Sequence, residues 1–170
     1  MKRLSLTGQR WLKCFHVLSA GVWVGTAVSL STKQFFISPS HGPELFGILS
    51  TLDFIDLCVL VPGAIGTLVT GLIYSIFTNW GWFRHRWVTV KWIICVFGVT
   101  FGTYPLGPWL SGMVRISEDQ GIASFNDAVF MHNRSMLFVF GTFQAMTIIF
   151  AFFVSVLKPW RKRGKMVESS

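Results

Sequence analysis

Four long apolar stretches dominate this chain of 170 residues, at about 12–30, 54–77, 87–104 and 135–157. Each is long enough to cross a hydrocarbon core about 30 Å thick at about 1.5 Å per helical residue. An open strand in lipid would leave its backbone amides unpaired, so the stretches are predicted to be α-helices. The fold expected is all-α: a four-transmembrane-helix bundle forming a single integral membrane domain over 1–170. Pro62 lies inside the second stretch and is expected to kink it, while Pro105 and Pro108 are expected to end the third. The outer connections, about 31–53 and 105–134, are then the only sizeable pieces outside the bilayer. Short interfacial helices are expected there, at Gly42–Leu49 or Ser124–Asp127.

Charge orients these spans. Twelve of the 15 Lys and Arg residues fall on one side, if Lys91 is counted there. They are carried by the N-terminus, by Arg84 and Arg86 between the second and third spans, and by the tail from Lys158 to Lys165. Lys33, Arg115 and Arg134 fall on the other side, with Glu44, Asp53, Asp56, Glu118, Asp119 and Asp127. The positive-inside rule then makes both termini cytoplasmic in a multi-pass protein of the cell (inner) membrane. Trp11, Trp80, Trp82, Trp87 and Trp160 would form a belt at the inner interface. The formal net charge of +8 is thereby read as topology and as contact with anionic lipid. Nucleic acid is excluded as a partner. The first 30 residues also share the outline of a signal peptide, but the run is long for one and contains His16 and Trp23.

Small residues recur at helical spacing: Gly21 and Gly25 in the first span, Gly63, Gly66, Thr67, Thr70 and Gly71 in the second, Gly98 and Gly102 in the third. Two readings stand for them. They let helices pack closely, within the chain or against a membrane protein partner or a second copy, or they make room for a flat cofactor. Ionisable residues inside spans are costly and mark function more often than packing. His16 and Lys91 each lie about one turn inside the same boundary, so their depths match. Two readings stand here as well: Lys91 snorkels to the boundary while His16 bonds a neighbouring carbonyl, or imidazole is an axial ligand to haem iron and the ammonium pairs with a cofactor or substrate carboxylate. Lys91 shares a small-lined helical face with Cys95, Gly98 and Gly102. At the other end, Asp53 and Asp56 match the depth of His132 and Arg134, which predicts a carboxylate–guanidinium clasp. His85 is either an interfacial basic residue beside Arg84 and Arg86 or a second axial ligand; His41 and His132 are both external, with no spacing that supports a metal site; and Gln144 is expected to hydrogen-bond across the bundle. Cys14, Cys58 and Cys95 show no C-x-x-C spacing, which argues against covalent haem attachment and thiol redox chemistry.

The run from Trp11 through His16, Gly21 and Trp23 to Gly25 resembles the first helix of a group of small bacterial membrane proteins. That group includes HemJ-type protoporphyrinogen oxidases, copper-resistance CopD-like proteins and a branch of uncharacterised integral membrane proteins. Pro62-Gly63, Thr70-Gly71-Leu72 and Trp87-x-x-x-Lys91 extend the resemblance over about residues 8–104. It implies a haem-b-binding bundle in which His16 and Lys91 are the required pair. Thr89 stands where HemJ-like chains carry a histidine, and Asn126-Asp127-Ala128 departs from their signature before the last helix. The uncharacterised branch is thus the nearer likeness. The function expected is binding of b-type haem or a related tetrapyrrole between the helices, with a redox or electron-transfer role. His16 would be the metal ligand, with Lys91, Trp23, Gly63, Cys95 and Gly98 around the cofactor; any enzyme activity would be that of a haem- or porphyrin-linked membrane oxidoreductase. A proton- or metal-linked transporter component and a structural subunit of a larger membrane complex are the alternatives.

Overall fold

A computed structural model describes residues 4–36, 38–77 and 86–157, with the side chains of Arg86 and Trp87 excepted. Among these residues the chain is all-helical, in six α-helices: α1 (Leu6–Thr32), α2 (Gly42–Ile55), α3 (Val61–Phe77), α4 (Arg86–Phe101), α5 (Gly107–Gln120) and α6 (Ala128–Leu157). Pairs of them are continuous. A π-helical turn at Asp56–Leu60 joins α2 to α3, and another at Gly102–Leu106 joins α4 to α5. The result is four helices long and apolar enough to span a membrane: Leu6–Phe35, Gly42–Phe77, Val88–Asn126 and Ala128–Leu157. The expected spans are therefore present, but longer than their apolar cores.

The expectation that Pro105 and Pro108 end the third span is corrected by the second of those turns. Pro105 lies inside the second π-turn and Pro108 in the first turn of α5, so neither ends the helix. A proline lacks an N–H and its ring collides with the carbonyl four residues back. In the widened turns the bonds run five residues back, from Val61 N–H to Asp56 O and from Gly107 N–H to Gly102 O. Each turn thus accommodates a nearby proline while the axis continues. The expected outer loops are consequently helical over much of their length. The Gly42 helix runs on into the second span, and Gly121–Asn126 forms a 3-10 turn.

Helix ends follow local chemistry. The Ser5 hydroxyl accepts from Gly8 N–H at 3.1 Å and caps α1. Asp127 caps α6, its Oδ1 accepting from Val129 N–H at 2.8 Å and Phe130 N–H at 3.0 Å. Where α5 stops, Gly121 has φ +56, a backbone conformation that suits glycine. A side chain at Gly42 would stand 3.0 Å from the Gly121 Cα, so the start of α2 and the end of α5 meet backbone to backbone.

The bundle has two tiers. In the tier that holds Leu6 and Leu157, α1 packs on α3 and α4 packs on α6. Its buried residues include Trp23, Ala27, Ala64, Ala145 and Ile148, with Val88 and Val154 nearer the chain ends. In the far tier α2 packs on α5, and Leu45, Leu49 and Leu52 at successive helical turns meet Leu110, Met113 and Phe130. Leu18, Phe143, Met146, Phe150 and Phe153 are exposed on the perimeter, as lipid contact requires.

Candidate functional site

A cavity of about 490 Å³ opens between α1, α3, α4 and α6, and His16, Lys91 and Cys95 all line it. Three of the residues expected at a site are therefore brought together. Two long helices contribute His16 and Lys91 from matching depths, and α3 supplies the third wall through Thr67, Leu68, Gly71 and Tyr74. Val17, Val88 and Trp92 make the cavity largely apolar around a few polar groups, the usual composition of a cofactor or ligand site.

Hydrogen-bond accounting fixes the state of the imidazole. His16 Nδ1 lies 2.8 Å from Thr70 Oγ1. The Thr70 hydroxyl has one proton, and donates it to Gly66 O at 2.6 Å. With that proton directed to Gly66 O, the hydroxyl oxygen accepts toward His16, and the ring then carries its proton on Nδ1. In the neutral ring Nε2 is then the nitrogen with a free lone pair. Metal-bound histidines are commonly held this way, with the second nitrogen donating to a neighbour that sets tautomer and ring orientation. Tyr74 stacks edge-on against the same ring at 5.9 Å between centroids, and its hydroxyl donates to Gln9 O at 3.1 Å.

Lys91 Nζ donates to Ser155 Oγ at 2.7 Å, so α6 completes the polar side of the cavity. Ser155 carried no signal in the sequence beyond its place near the end of the last span. Thr70 was legible as a small residue on a helix face, and its role as acceptor for His16 emerges only when α1 and α3 are in contact.

Trp23, Gly63 and Gly98 lie apart from this cavity. Trp23 is 3% exposed, in the middle of the bundle, where a side chain at Gly98 would stand 3.2 Å from its Cζ2. A side chain at Gly63 would stand 3.1 Å from Trp23 N and from Val22 Cγ1. Gly102 faces Gln144 Nε2 at 3.1 Å from its ideal Cβ position. The small-lined strip on α4 is thus occupied by Trp23 and Gln144. Gln144 Nε2 does bond across the bundle, to Gly98 O at 3.0 Å. By contrast, a side chain at Gly21 or Gly25 would meet nothing within 4 Å, so that pair makes no close helix contact among the described residues.

The expected clasp at the far end does not form. Among the described residues no ion pair joins Asp53 or Asp56 to His132 or Arg134. Asp53 instead accepts from Ser111 Oγ at 2.9 Å, because the unbroken α4–α5 helix brings Ser111 against α2. Arg134 lies over the Phe125 ring, 5.2 Å from its centroid. His41 pairs with Glu44 at 3.0 Å, and no group of three or more His, Cys, Asp or Glu able to hold a metal is present among the described residues. His85, Trp80, Trp82, Trp160 and the basic tail lie outside the described residues. Compared with family models, curated proteins and solved structures, the chain matches none.

Proposed function

We propose that this multi-pass membrane protein binds b-type haem or a related tetrapyrrole in the cavity between α1, α3, α4 and α6 and serves a redox role, with both termini cytoplasmic. One observation carries the reading: His16 Nδ1 is committed to Thr70, which leaves Nε2 as a single oriented donor beside Lys91. A bare ion ordinarily needs several protein ligands. A tetrapyrrole brings four nitrogens of its own and needs one or two, which suits a cavity with one histidine among its described residues.

In this reading His16 Nε2 would ligate the iron, and Thr70 would hold the ring against rotation. Lys91 would either neutralise a propionate as an ammonium held by Ser155 Oγ, or, as the neutral amine, supply a second ligand to the iron. Val17, Leu68, Val88 and Trp92 line the cavity with apolar surface, and the low dielectric there would strengthen the attraction between Lys91 and a propionate. When bound, haem supplies a one-electron iron couple whose potential depends on its ligands and surroundings. The resemblance of Trp11–Gly25 and Trp87–Lys91 to HemJ-like helices points the same way. The basic excess beside Leu6 and Leu157 supports the orientation.

The test is an absorption spectrum of protein purified after expression with haem supplied. A Soret band that disappears in His16→Ala and persists in His132→Ala is expected. No Soret band in the unaltered protein would overturn the reading.

A further inference from the structure

Two further cavities meet at the far end of the bundle. The deeper, about 120 Å³, is bordered by Asp56 and Leu60 of one π-turn, Gly102 and Leu106 of the other, and Gln144 of α6. The outer, about 410 Å³, is mostly apolar and runs past Ile48, Phe125, Phe130 and Phe138. Lys33, Gln34, Leu49, Met113 and Arg134 line both and form the wall between them. Phe138 and Val139 at the outer rim are 41% and 58% exposed, so this cavity opens sideways onto the apolar perimeter between α2 and α6.

The deep chamber contains an unmet demand. Gln144 is 6% exposed, and its Oε1 is buried with no hydrogen-bond partner. Buried polar atoms are nearly always satisfied, and Trp23 Nε1, a buried donor, likewise has no partner among the described residues, so the interior holds one unmet acceptor and one unmet donor. Asp56 adds a carboxylate, while Lys33 and Arg134 at the wall supply donors. No ion pair cancels these three charges against one another among the described residues.

We propose that this end binds a lipid-soluble amphiphile with a single oxygenated ring as its head, a quinone or quinol by class, reached sideways from the bilayer. Size selects the head. A cavity of about 150 Å³ takes one benzene ring, so a chamber of about 120 Å³ suits one small ring after modest side-chain adjustment and is too small for a phospholipid headgroup. Polarity selects its oxygens. A ring carbonyl accepts from Lys33 or Arg134 at the wall, and a ring hydroxyl donates to Gln144 Oε1 or to Asp56 in the depth. A fatty acid fits less well, since its carboxylate would face those two acceptors. The tail lies along the Phe125–Phe138 groove. The inference concerns binding alone and does not depend on the reading of the His16 cavity.

The full chain in lipid nanodiscs is titrated with a decyl-substituted benzoquinone, and tryptophan fluorescence quenching is followed. Saturable binding at one site is expected, weakened about tenfold in Gln144→Leu and in Arg134→Gln, the worth of one hydrogen bond to a buried or charged group. His16→Ala should bind as the unaltered protein does. Decylbenzene, with the same ring and tail and no oxygens, should bind at least about tenfold more weakly. Arg134 lies at the exposed rim, so Arg134→Gln keeps the test decisive if Gln144→Leu fails to fold. Non-saturable quenching, equal binding of decylbenzene, or full affinity in a folded Arg134→Gln variant would overturn the proposal.

Discussion

His16 Nδ1 and Thr70 Oγ1 lie 2.8 Å apart although 54 positions separate them in sequence, and the Thr70 hydroxyl also lies 2.6 Å from Gly66 O, its acceptor within α3. The α1–α3 contact therefore sets both the position and the tautomer of the histidine. This contact is made possible by Gly63 and Gly66, where any side chain would press on Ser19, Val22 or the Trp23 backbone.

Thr70→Val removes the acceptor while preserving shape. It is expected to lower stability by about 1 kcal/mol, since the Nδ1–H is left without its partner. If His16 ligates haem, affinity should also fall by about 10–100-fold, as for other outer-shell partners of metal-bound histidines. Thr70→Ser should restore both. Thermal unfolding in detergent and haem titration measure the two effects.

Lys91→Gln and Ser155→Ala separate ligation from charge pairing. If Lys91 pairs with a propionate, Lys91→Gln should weaken haem retention yet keep the shape of the Soret band. If it is the sixth ligand, the band should shift to a new position. Ser155→Ala should show a weaker form of the same effect, because Lys91 loses the acceptor at 2.7 Å. Spectra recorded before and after dialysis against apomyoglobin read both quantities.

Gly63→Ala is expected to cost about 1–3 kcal/mol, the usual range for overpacking. Its new methyl meets Trp23 N at 3.1 Å, and backbone cannot rotate aside. Gly21→Ala meets nothing within 4 Å and should leave stability unchanged or raise it by up to about 1 kcal/mol through helix propensity. A large loss in Gly21→Ala would instead mean that this open face is used between molecules. Unfolding midpoints of the two variants, with molecular mass by light scattering, decide.

Acid should loosen the start of α6. The Phe130 N–H, the Gln120 amide and the Val129 N–H hold the Asp127 carboxyl below its ordinary value. Stability from this cap is therefore complete above the unfolded value of about 3.9 and is lost as pH falls through the lower folded value. The expected drop in melting temperature on acidification below about pH 4 should be smaller in Asp127→Asn, which still caps but does not titrate.

The spans were legible because hydropathy over about 20 residues leaves few alternatives, and helix is the only open-chain solution in lipid. Pro105 and Pro108 misled because a proline is read as a local stop, whereas one widened turn cancels its steric cost and is not encoded by any single residue type. Once the helix continues to Gln120, Ser111 reaches Asp53 and the anticipated Asp–Arg clasp loses its partner. Equal depth did bring His16 and Lys91 to one cavity. The partners Thr70 and Ser155 were beyond reach, since hydroxyl residues are common in membrane helices and only the interhelical register selects among them. Glycines on α4 had two readings at the outset, and the bulk of Trp23 and Gln144 accounts for their smallness here.

Each π-turn holds one residue more than the α-helical course needs, and a helix advances about 100° per residue. The two tiers of the bundle are therefore out of phase by the equivalent of one residue, and that offset is stored at Asp56–Leu60 and Gly102–Leu106. Deleting a single residue from Asp56–Leu60 would keep the helix long and apolar while turning α2 by about 100° relative to α3. Leu45, Leu49 and Leu52 would swing away from Leu110 and Met113, leaving the His16 tier aligned and the far tier mis-set. The rotational coupling between the chain's two halves thus rests on one-residue insertions, which hydropathy cannot register.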